Sequence, residues 1–314
     1  MSTEWTPAQI PSLNGRRVVV TGANSGIGYH TAAMLARHGA EVVLACRDAR
    51  RGEEALAKLR RNQPDAKLVF EPLDLASLAS VHDFARRQLD QGRPLDLLIN
   101  NAGVMAPPHR LETADGFERQ FGTNVIGHFA LTARLMPALE AAAQRAKDAP
   151  RIVTVASIAH KTGRIDFDDL QSTRHYGPMR AYRQSKLANL IFARELDRRL
   201  RAAGSRVMSV PAHPGVAKTN LFRDDRSVMT RAVRALLGEM IGAFLNSDVD
   251  GALPTLYAAT APDVEHGGYY GPLGLFEARG KRVGPAYVAP QALDADVANR
   301  LWQVCETLTG ESFV

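Results

Sequence analysis

The sequence predicts an α/β, doubly wound fold with a mainly parallel central sheet and helices on both faces. From about residue 16, short β-branched runs alternate with longer helical patterns, which is typical of strand–helix–strand units. The runs are nearly continuous in Val, Ile and Leu, as expected of strands that are covered on both faces. The first run ends in a glycine-rich loop inside which a helix begins.

The elements follow in a regular order. A helix is expected over 26–38, and strands are expected at 16–22, 41–46, 66–74, 96–103, 151–157 and 206–215. No Pro/Gly/Ser-rich linker and no internal repeat divides the chain, so we expect one domain over 1–314. The residues in excess of these six strands and the helices between them are concentrated at 158–181, at 218–250 and after Gly268. We expect the first two of these segments to adjoin the chemistry.

Composition and charge exclude several classes of protein. The chain has 45% hydrophobic and 23% charged residues and a net charge of +6, with basic residues spread along it. Its densest basic cluster, Arg198, Arg199 and Arg201, lies in a helical pattern and indicates a solvated face, so no nucleic-acid partner is expected. No signal peptide, membrane span or metal-ligand cluster is recognised. These features, with only two cysteines, predict a soluble, cytoplasmic protein.

The loop after the first strand predicts a dinucleotide site. Residues 21–28 read TGANSGIG, in which the glycines allow a tight turn and a close approach of a pyrophosphate to the helix N-terminus. The strand before the loop and the helix after it are the context that this motif requires. The predicted contacts are Gly22, Asn24, Ser25, Gly26, Ile27 and Gly28.

The end of the second strand bears on which dinucleotide binds. A 2′-phosphate favours a guanidinium, whereas a ribose 2′-hydroxyl is usually bound by an acid. Arg47 directly follows the strand and favours NADP, while the neighbouring Asp48 keeps NAD as the less favoured alternative.

A second pattern predicts acid/base chemistry. Tyr182 and Lys186 are four residues apart on one helix face, and a positive charge near a phenol lowers its pKa toward neutrality. Ser157 ends the fifth strand, where its hydroxyl could hold a substrate oxygen. Tyr176 is the competing tyrosine, but its partner four residues on is Arg180 and a Gly-Pro pair interrupts the helix.

Two polar residues lie in an apolar helical stretch. The side chain of Asn124 could hold a bridging water or bond its own backbone. His128 has no orienting carboxylate or metal partner nearby in sequence, and we interpret it as structural.

These motifs together resemble the short-chain dehydrogenase/reductase (SDR) family, which has a Rossmann fold, and more finely its retinol dehydrogenase and WW-domain oxidoreductase branch. The bacterial members of that branch are NADP-dependent oxidoreductases. The resemblance implies that Tyr182 transfers the proton, Ser157 polarises the carbonyl, Lys186 binds the nicotinamide ribose and Asn124 supports a water-linked proton path. It also implies cofactor contacts from Asp74, Leu75, Asn101, Ala102, Gly103, Tyr182, Lys186, Pro214, Gly215 and Thr219.

The sequence therefore predicts an NADP(H)-dependent alcohol dehydrogenase or carbonyl reductase whose small-molecule substrate is an apolar alcohol or carbonyl compound. A non-catalytic NADP-binding regulator is the alternative, and a sugar epimerase or dehydratase is disfavoured by the glycine spacing. The apolar helical stripe at 226–246 is interpreted as a lid, an oligomer face or core packing, so a homo-oligomer stays open.

Overall fold

The computed structural model describes residues 5–145, 147–216 and 246–314. Thr219 and most of the 226–246 stripe lie outside the described residues. The described strands are β1 (Arg17–Thr21), β2 (Glu41–Cys46), β3 (Leu68–Pro72), β4 (Leu97–Asn100), β5 (Arg151–Val155), β6 (Met208–Ala212), β7 (Tyr270–Pro272) and β8 (Val283–Pro285). They form one sheet in the order β3-β2-β1-β4-β5-β6-β7-β8. All neighbours pair in parallel except β7 and β8, which confirms the predicted doubly wound class.

Helices cover both faces of this sheet. The described helices are α1 (Gly26–Arg37), α2 (Ala49–Asn62), α3 (Leu78–Leu89), α4 (Arg119–Phe121), α5 (Gly127–Arg145), α6 (Pro178–Ala202), α7 (Asp248–Thr260) and α8 (Ala295–Thr309). One core cluster joins the sheet to α3, α5, α6 and α8, with Trp302 packed edge-on against Phe129. The other cluster joins the opposite face to α1, α2 and α7. The sheet is therefore buried from both sides, as its apolar strands require.

Strands β1 and β4 are neighbours in the sheet, although β2 and β3 lie between them in sequence. The chain leaves β1 toward one edge and returns through β4 toward the other. A crevice opens at such a switch point outside the carboxyl ends of the strands. The glycine-rich loop after β1 and the turn after β4 meet there.

The C-terminal stretch differs from the expectation. It adds β7 and the antiparallel β8 to the sheet edge, and its helix α8 packs onto α6 in the core. The strands of the edge hairpin read YGP and VGP, which are turn-like sequences; β7 is a strand because it pairs with β6, and β8 because it pairs with β7. This stretch also adjoins the chemistry, because Tyr269 lies at its start and contacts the ring of His160, three residues after Ser157.

Candidate active site

The loop between β1 and α1 has the geometry that its glycines predict. Gly22 and Gly26 have φ angles of +67° and +57°, a region that side chains with a Cβ disfavour. A Cβ on Gly28 would lie 2.5 Å from the carbonyl oxygen of Gly22, so only glycine allows this approach of helix and strand. The first turn of α1 thereby opens toward the crevice with its unpaired N–H groups.

A cavity of 620 Å³ lies against this loop. It is lined by eleven of the residues predicted to bind the cofactor, namely Gly22, Asn24, Ser25, Ile27, Gly28, Arg47, Asp74, Leu75, Asn101, Ala102 and Gly103. It is also lined by residues that the sequence did not single out, among them Arg51, Thr123, Met105, Pro107 and Leu111. The loop after β1, the end of β2 and the turn after β4 thus share one site.

Arg47 and Arg51 both line the cavity, Arg47 directly after β2 and Arg51 in the first turn of α2. Asp48 also lines the cavity; its Oδ1 accepts the backbone N–H of Arg51 at 3.0 Å and caps α2, and its Oδ2 lies 3.5 Å from the Arg51 guanidinium. That contact with Arg51 holds the pKa of the Asp48 carboxyl below its usual value. Arg51 was missed from the sequence because its role depends on the turn of α2 that it occupies.

The turn after β4 is held by Thr21 at the end of β1. The Thr21 hydroxyl accepts the backbone N–H groups of Asn101 and Ala102, both at 2.9 Å, and the Asn101 side chain donates to the Thr21 carbonyl at 2.8 Å. These bonds cross 80 residues of sequence, and local patterns gave no sign of them. They fix the backbone that lines the middle of the cavity.

His128 extends this network, which agrees with its interpretation as a structural residue. Its Nδ1 lies 3.0 Å from the Asn124 carbonyl oxygen, which can only accept, so Nδ1 carries the proton. Its Nε2, 3.0 Å from the Thr21 hydroxyl, is then the acceptor. Burial lowers the pKa of His128 to about 4, so the ring is neutral at ordinary pH.

Asn124 sits in a π-helical turn, Gly122–Ile126, at the entry to α5. Its side chain does not bond its own backbone, as was one expectation. Instead Oδ1 accepts the N–H of Val104 at 2.8 Å, and Nδ2 donates to the Val104 carbonyl and to the Ser185 hydroxyl, each at 3.0 Å. Ser185 in turn donates to the Tyr182 carbonyl at 2.9 Å. The cavity wall and α6, the helix that carries Tyr182 and Lys186, are thereby joined through one amide.

Ser157, Tyr182 and Lys186 come together behind this wall. All three are at least 90% buried, and the Ser157 hydroxyl lies close enough to the Tyr182 phenol to lower its pKa. Burial outweighs this effect of Ser157 and raises the pKa of Tyr182, so the lowering expected from the lysine is not found in this structure. Burial also lowers the pKa of Lys186 to about 8. Its ammonium donates to the Val155 carbonyl at 2.8 Å and lies 3.7 Å from the position of a Cβ on Gly103, which lines the cavity.

Tyr176, the competing tyrosine, lies outside α6, which begins at Pro178. Its hydroxyl donates to the Pro107 carbonyl at 2.7 Å, and burial raises its pKa to about 12. Gln120 bonds the same region through Ala106 and Pro178. Tyr176 therefore braces the cavity rim and is not part of the Ser157 cluster.

Pro214 and Gly215 follow β6, on the side of β5 away from the glycine loop. Gly215 has a φ of +72°, and its N–H donates to His213 Nδ1 at 3.2 Å. Neither residue lines the cavity described above, and Thr219 lies outside the described residues. Their expected contact with the nicotinamide end therefore stays a prediction.

The residues present fit a nicotinamide dinucleotide. The Thr123 hydroxyl is buried in the cavity wall and has no partner among the described residues, as expected of a group whose partner is a ligand. Two guanidiniums line the cavity, and the buried lysine stands beyond Gly103. No group of three His, Cys, Asp or Glu side chains that could hold a metal ion occurs in the described ranges.

The fold and the site together define a dinucleotide-binding α/β oxidoreductase with a Ser/Tyr/Lys centre. Residues 16–229 match the family model described as short chain dehydrogenase, and the chain belongs to the short-chain dehydrogenase/reductase family. Human retinol dehydrogenase 14 is 40% identical over 95% of this chain and 87% of its own length. Mouse polyprenol dehydrogenase is 43% identical over 98% of this chain and 88% of its own. The predicted resemblance to the retinol dehydrogenase branch is thus confirmed.

Solved structures agree with this assignment. An uncharacterized protein from Mycobacterium paratuberculosis superimposes with a TM-score of 0.79 at 43% identity, covering 99% of this chain and all of the other. The Pseudomonas aeruginosa RhlG/NADP active-site complex gives a TM-score of 0.63 at 25% identity, covering 82% of this chain and 94% of the other. Among the described helices, none is long and apolar enough to cross a membrane.

Proposed function

We propose that the protein is an NADP(H)-dependent alcohol dehydrogenase or carbonyl reductase that acts on an apolar substrate. The observation that carries the proposal is the buried cluster of Ser157, Tyr182 and Lys186 behind a cavity lined by two guanidiniums. A non-catalytic NADP-binding regulator, the alternative from another class, has no need of these three side chains.

When bound, the nicotinamide supplies or accepts the hydride. Tyr182 gives its phenolic proton to the substrate oxygen in reduction and takes it back in oxidation. The Ser157 hydroxyl, which neighbours Tyr182, donates a hydrogen bond to the same oxygen and stabilises its developing negative charge. The buried ammonium of Lys186 stabilises the phenolate that Tyr182 becomes when it gives up the proton.

The preference for NADP over NAD is supported by the charges that line the cavity. Arg47 and Arg51 offer two guanidiniums, whose geometry suits a phosphate. Asp48 uses one carboxylate oxygen to cap α2, which disfavours it as the acid that binds a ribose hydroxyl.

An apolar substrate is supported by Met105, Pro107 and Leu111 in the cavity wall. The names of the relatives, retinol dehydrogenase and polyprenol dehydrogenase, point to apolar alcohols as well. We also infer one domain over 1–314, because all described strands belong to one sheet. The cytoplasmic location, the absence of a nucleic-acid partner and the homo-oligomer stay predictions of the sequence.

The experiment is NADPH consumption with a panel of aldehydes, ketones, steroids and quinones. The wild type should reduce at least one of these carbonyl compounds, Tyr182→Phe should be inactive, and Tyr176→Phe, the matched control, should retain turnover. Tight NADPH binding without turnover of any carbonyl would favour the regulator. Equal rates for wild type and Tyr182→Phe would remove Tyr182 from the proton transfer.

A further inference from the structure

The hairpin between β7 and β8 contains two consecutive non-glycine residues with left-handed backbone. Phe276 has a φ of +53° and Glu277 a φ of +58°. Side chains with a Cβ disfavour this region, and such conformations persist where the surrounding contacts hold them. The side chain of Phe276 is exposed to solvent, whereas that of Glu277 is turned inward and is only 19% exposed. We therefore look to the contacts of the inward-facing Glu277 side chain for what holds the left-handed backbone of the hairpin.

The Glu277 carboxylate contacts two other segments of the protein. Its Oε2 lies 2.8 Å from the ammonium of Lys161, and its Oε1 accepts the backbone N–H of Tyr287, which follows β8, at 2.7 Å. The Nε2 of His213 lies 3.4 Å from Oε2 without forming a well-aligned hydrogen bond. Although burial alone would raise the pKa of Glu277, these neighbours hold it at about 2, so the group is an anion at any working pH.

Lys161 brings the hairpin to the turn that carries Ser157. That turn, Ile158–Thr162, begins directly after Ser157. Its His160 donates both its backbone N–H, at 3.0 Å, and its ring Nδ1–H, at 2.7 Å, to the Ser157 carbonyl. The ring proton lies on Nδ1 because a carbonyl oxygen only accepts. The ion pair between Lys161 and Glu277 thus anchors a turn whose other end fixes the backbone of Ser157.

The same hairpin braces the turn after β6. The Ala278 carbonyl accepts the N–H of Val216 at 2.7 Å, and a Cβ on Gly215 would lie 2.4 Å from that oxygen. His213, beside Glu277, accepts the Gly215 N–H on Nδ1. Ala278, the residue after Glu277, therefore packs so closely against the Pro214–Gly215 turn that a side chain on Gly215 would not fit.

We propose that Glu277 is a positioning residue that holds the Ser157 turn and the Pro214–Gly215 turn in one fixed relation. The position of the Ser157 hydroxyl, which would face the substrate oxygen, is then coupled to that of the Pro214–Gly215 backbone, which is expected at the nicotinamide end. The kinetic part of this inference rests on the proposed function. Loss of the Glu277 charge should misplace these groups and slow the chemistry, while the adenosine end, built from β1 and β2, is left as it was.

The test uses Glu277→Gln, Lys161→Met and the double variant. Glutamine keeps an oxygen for the Tyr287 N–H but loses the charge that pairs with Lys161. Each single variant should lower kcat about tenfold, since small displacements of reacting groups are costly. The double variant should be no slower than the slower single variant, because each substitution removes the same ion pair between Lys161 and Glu277. Affinity for 2′,5′-ADP, which probes the adenosine end and the integrity of the fold, should not change.

Asp166→Asn is the matched control. The Asp166 carboxylate pairs with Arg180 at 2.6 Å and accepts the backbone N–H of Asp169, and neither of these residues belongs to the two turns. It should keep the wild-type kcat. An unchanged kcat in Glu277→Gln, losses that multiply in the double variant, or a parallel loss of 2′,5′-ADP affinity would each overturn the positioning role.

If the wild type reduces no carbonyl, the proposed function fails but the positioning role is still tested. Glu277→Gln should then weaken the binding of NADPH while leaving that of 2′,5′-ADP unchanged, because only NADPH reaches the Pro214–Gly215 turn. Equal NADPH affinity in the wild type and in Glu277→Gln would overturn the inference.

Discussion

Asn124 holds Val104 by both of its backbone groups, accepting the N–H at 2.8 Å and donating to the carbonyl at 3.0 Å. The side-chain amide thereby pairs with the N–H and the carbonyl of one residue in the cavity wall, as the backbone of a neighbouring strand would. The Asn124 side-chain amide also donates a hydrogen bond to the Ser185 hydroxyl, which in turn donates to the Tyr182 carbonyl. The wall of the cofactor cavity and the helix that carries Tyr182 are consequently positioned by the same group.

Asn124→Asp should break this connection with almost no change in size. A carboxylate can still accept the Val104 N–H, but it presents an acceptor to the Val104 carbonyl and loses the donor to Ser185. Leaving buried groups unpaired costs ~1–3 kcal/mol each, so we expect the free energy of unfolding to fall by about 2–4 kcal/mol. Urea denaturation would measure this, together with a loss in kcat. A variant as stable and as active as the wild type would show that the amide does not join these elements.

The parts of the site that the sequence predicted are those encoded over short distances. The glycine loop, the pair Tyr182/Lys186 and the position of Arg47 after a strand each depend on neighbours within a few residues. Local geometry determines these features, so their spacing is sufficient to recognise them.

The parts that were missed depend on contacts between distant segments. Thr21 gave no local sign that its hydroxyl holds the backbone of Ala102, 81 residues away. The β7–β8 hairpin has the composition of a turn, and only its neighbour β6 makes it part of the sheet. The shift in the pKa of Tyr182 was expected in the wrong direction, because burial, a property of the packed fold, raises this pKa and outweighs the Ser157 hydroxyl that lowers it.

The activity should depend on the charge of Lys186. With its pKa lowered to about 8 by burial, the ammonium loses its proton above that pH, and Tyr182 then loses the positive charge that favours its phenolate. We expect kcat/KM for carbonyl reduction to fall about tenfold per pH unit above pH ~8. Lys186→Arg should shift the fall to higher pH, since guanidinium stays charged. A profile that is flat to about pH 10 in the wild type would contradict the assignment.

The same lysine should destabilise the free protein. The pKa of Lys186 in the folded state lies below its ordinary value of 10.5, so the unfolded chain binds more protons between about pH 8 and 10.5. Stability should therefore rise as the pH increases through that window. Lys186→Met should be inactive yet more stable than the wild type by about 1–3 kcal/mol at neutral pH. Urea titrations should show this gain shrinking toward pH ~10, and a gain that is independent of pH would point to packing instead of charge.

Arg51 should contribute to the choice of dinucleotide, whereas its neighbour Arg50 should not. Arg51 lines the cavity beside Arg47, while Arg50 pairs with Glu54 at 2.6 Å on the surface of α2 and is the matched control. Hydrogen bonds to charged groups contribute ~1.5–3 kcal/mol, so Arg51→Ala should weaken NADPH at least about tenfold and leave NADH unchanged. Arg50→Ala should change neither affinity in fluorescence titrations. Equal effects of the two substitutions, or a parallel loss of NADH affinity, would mean that Arg51 acts through general charge and not on the 2′-phosphate.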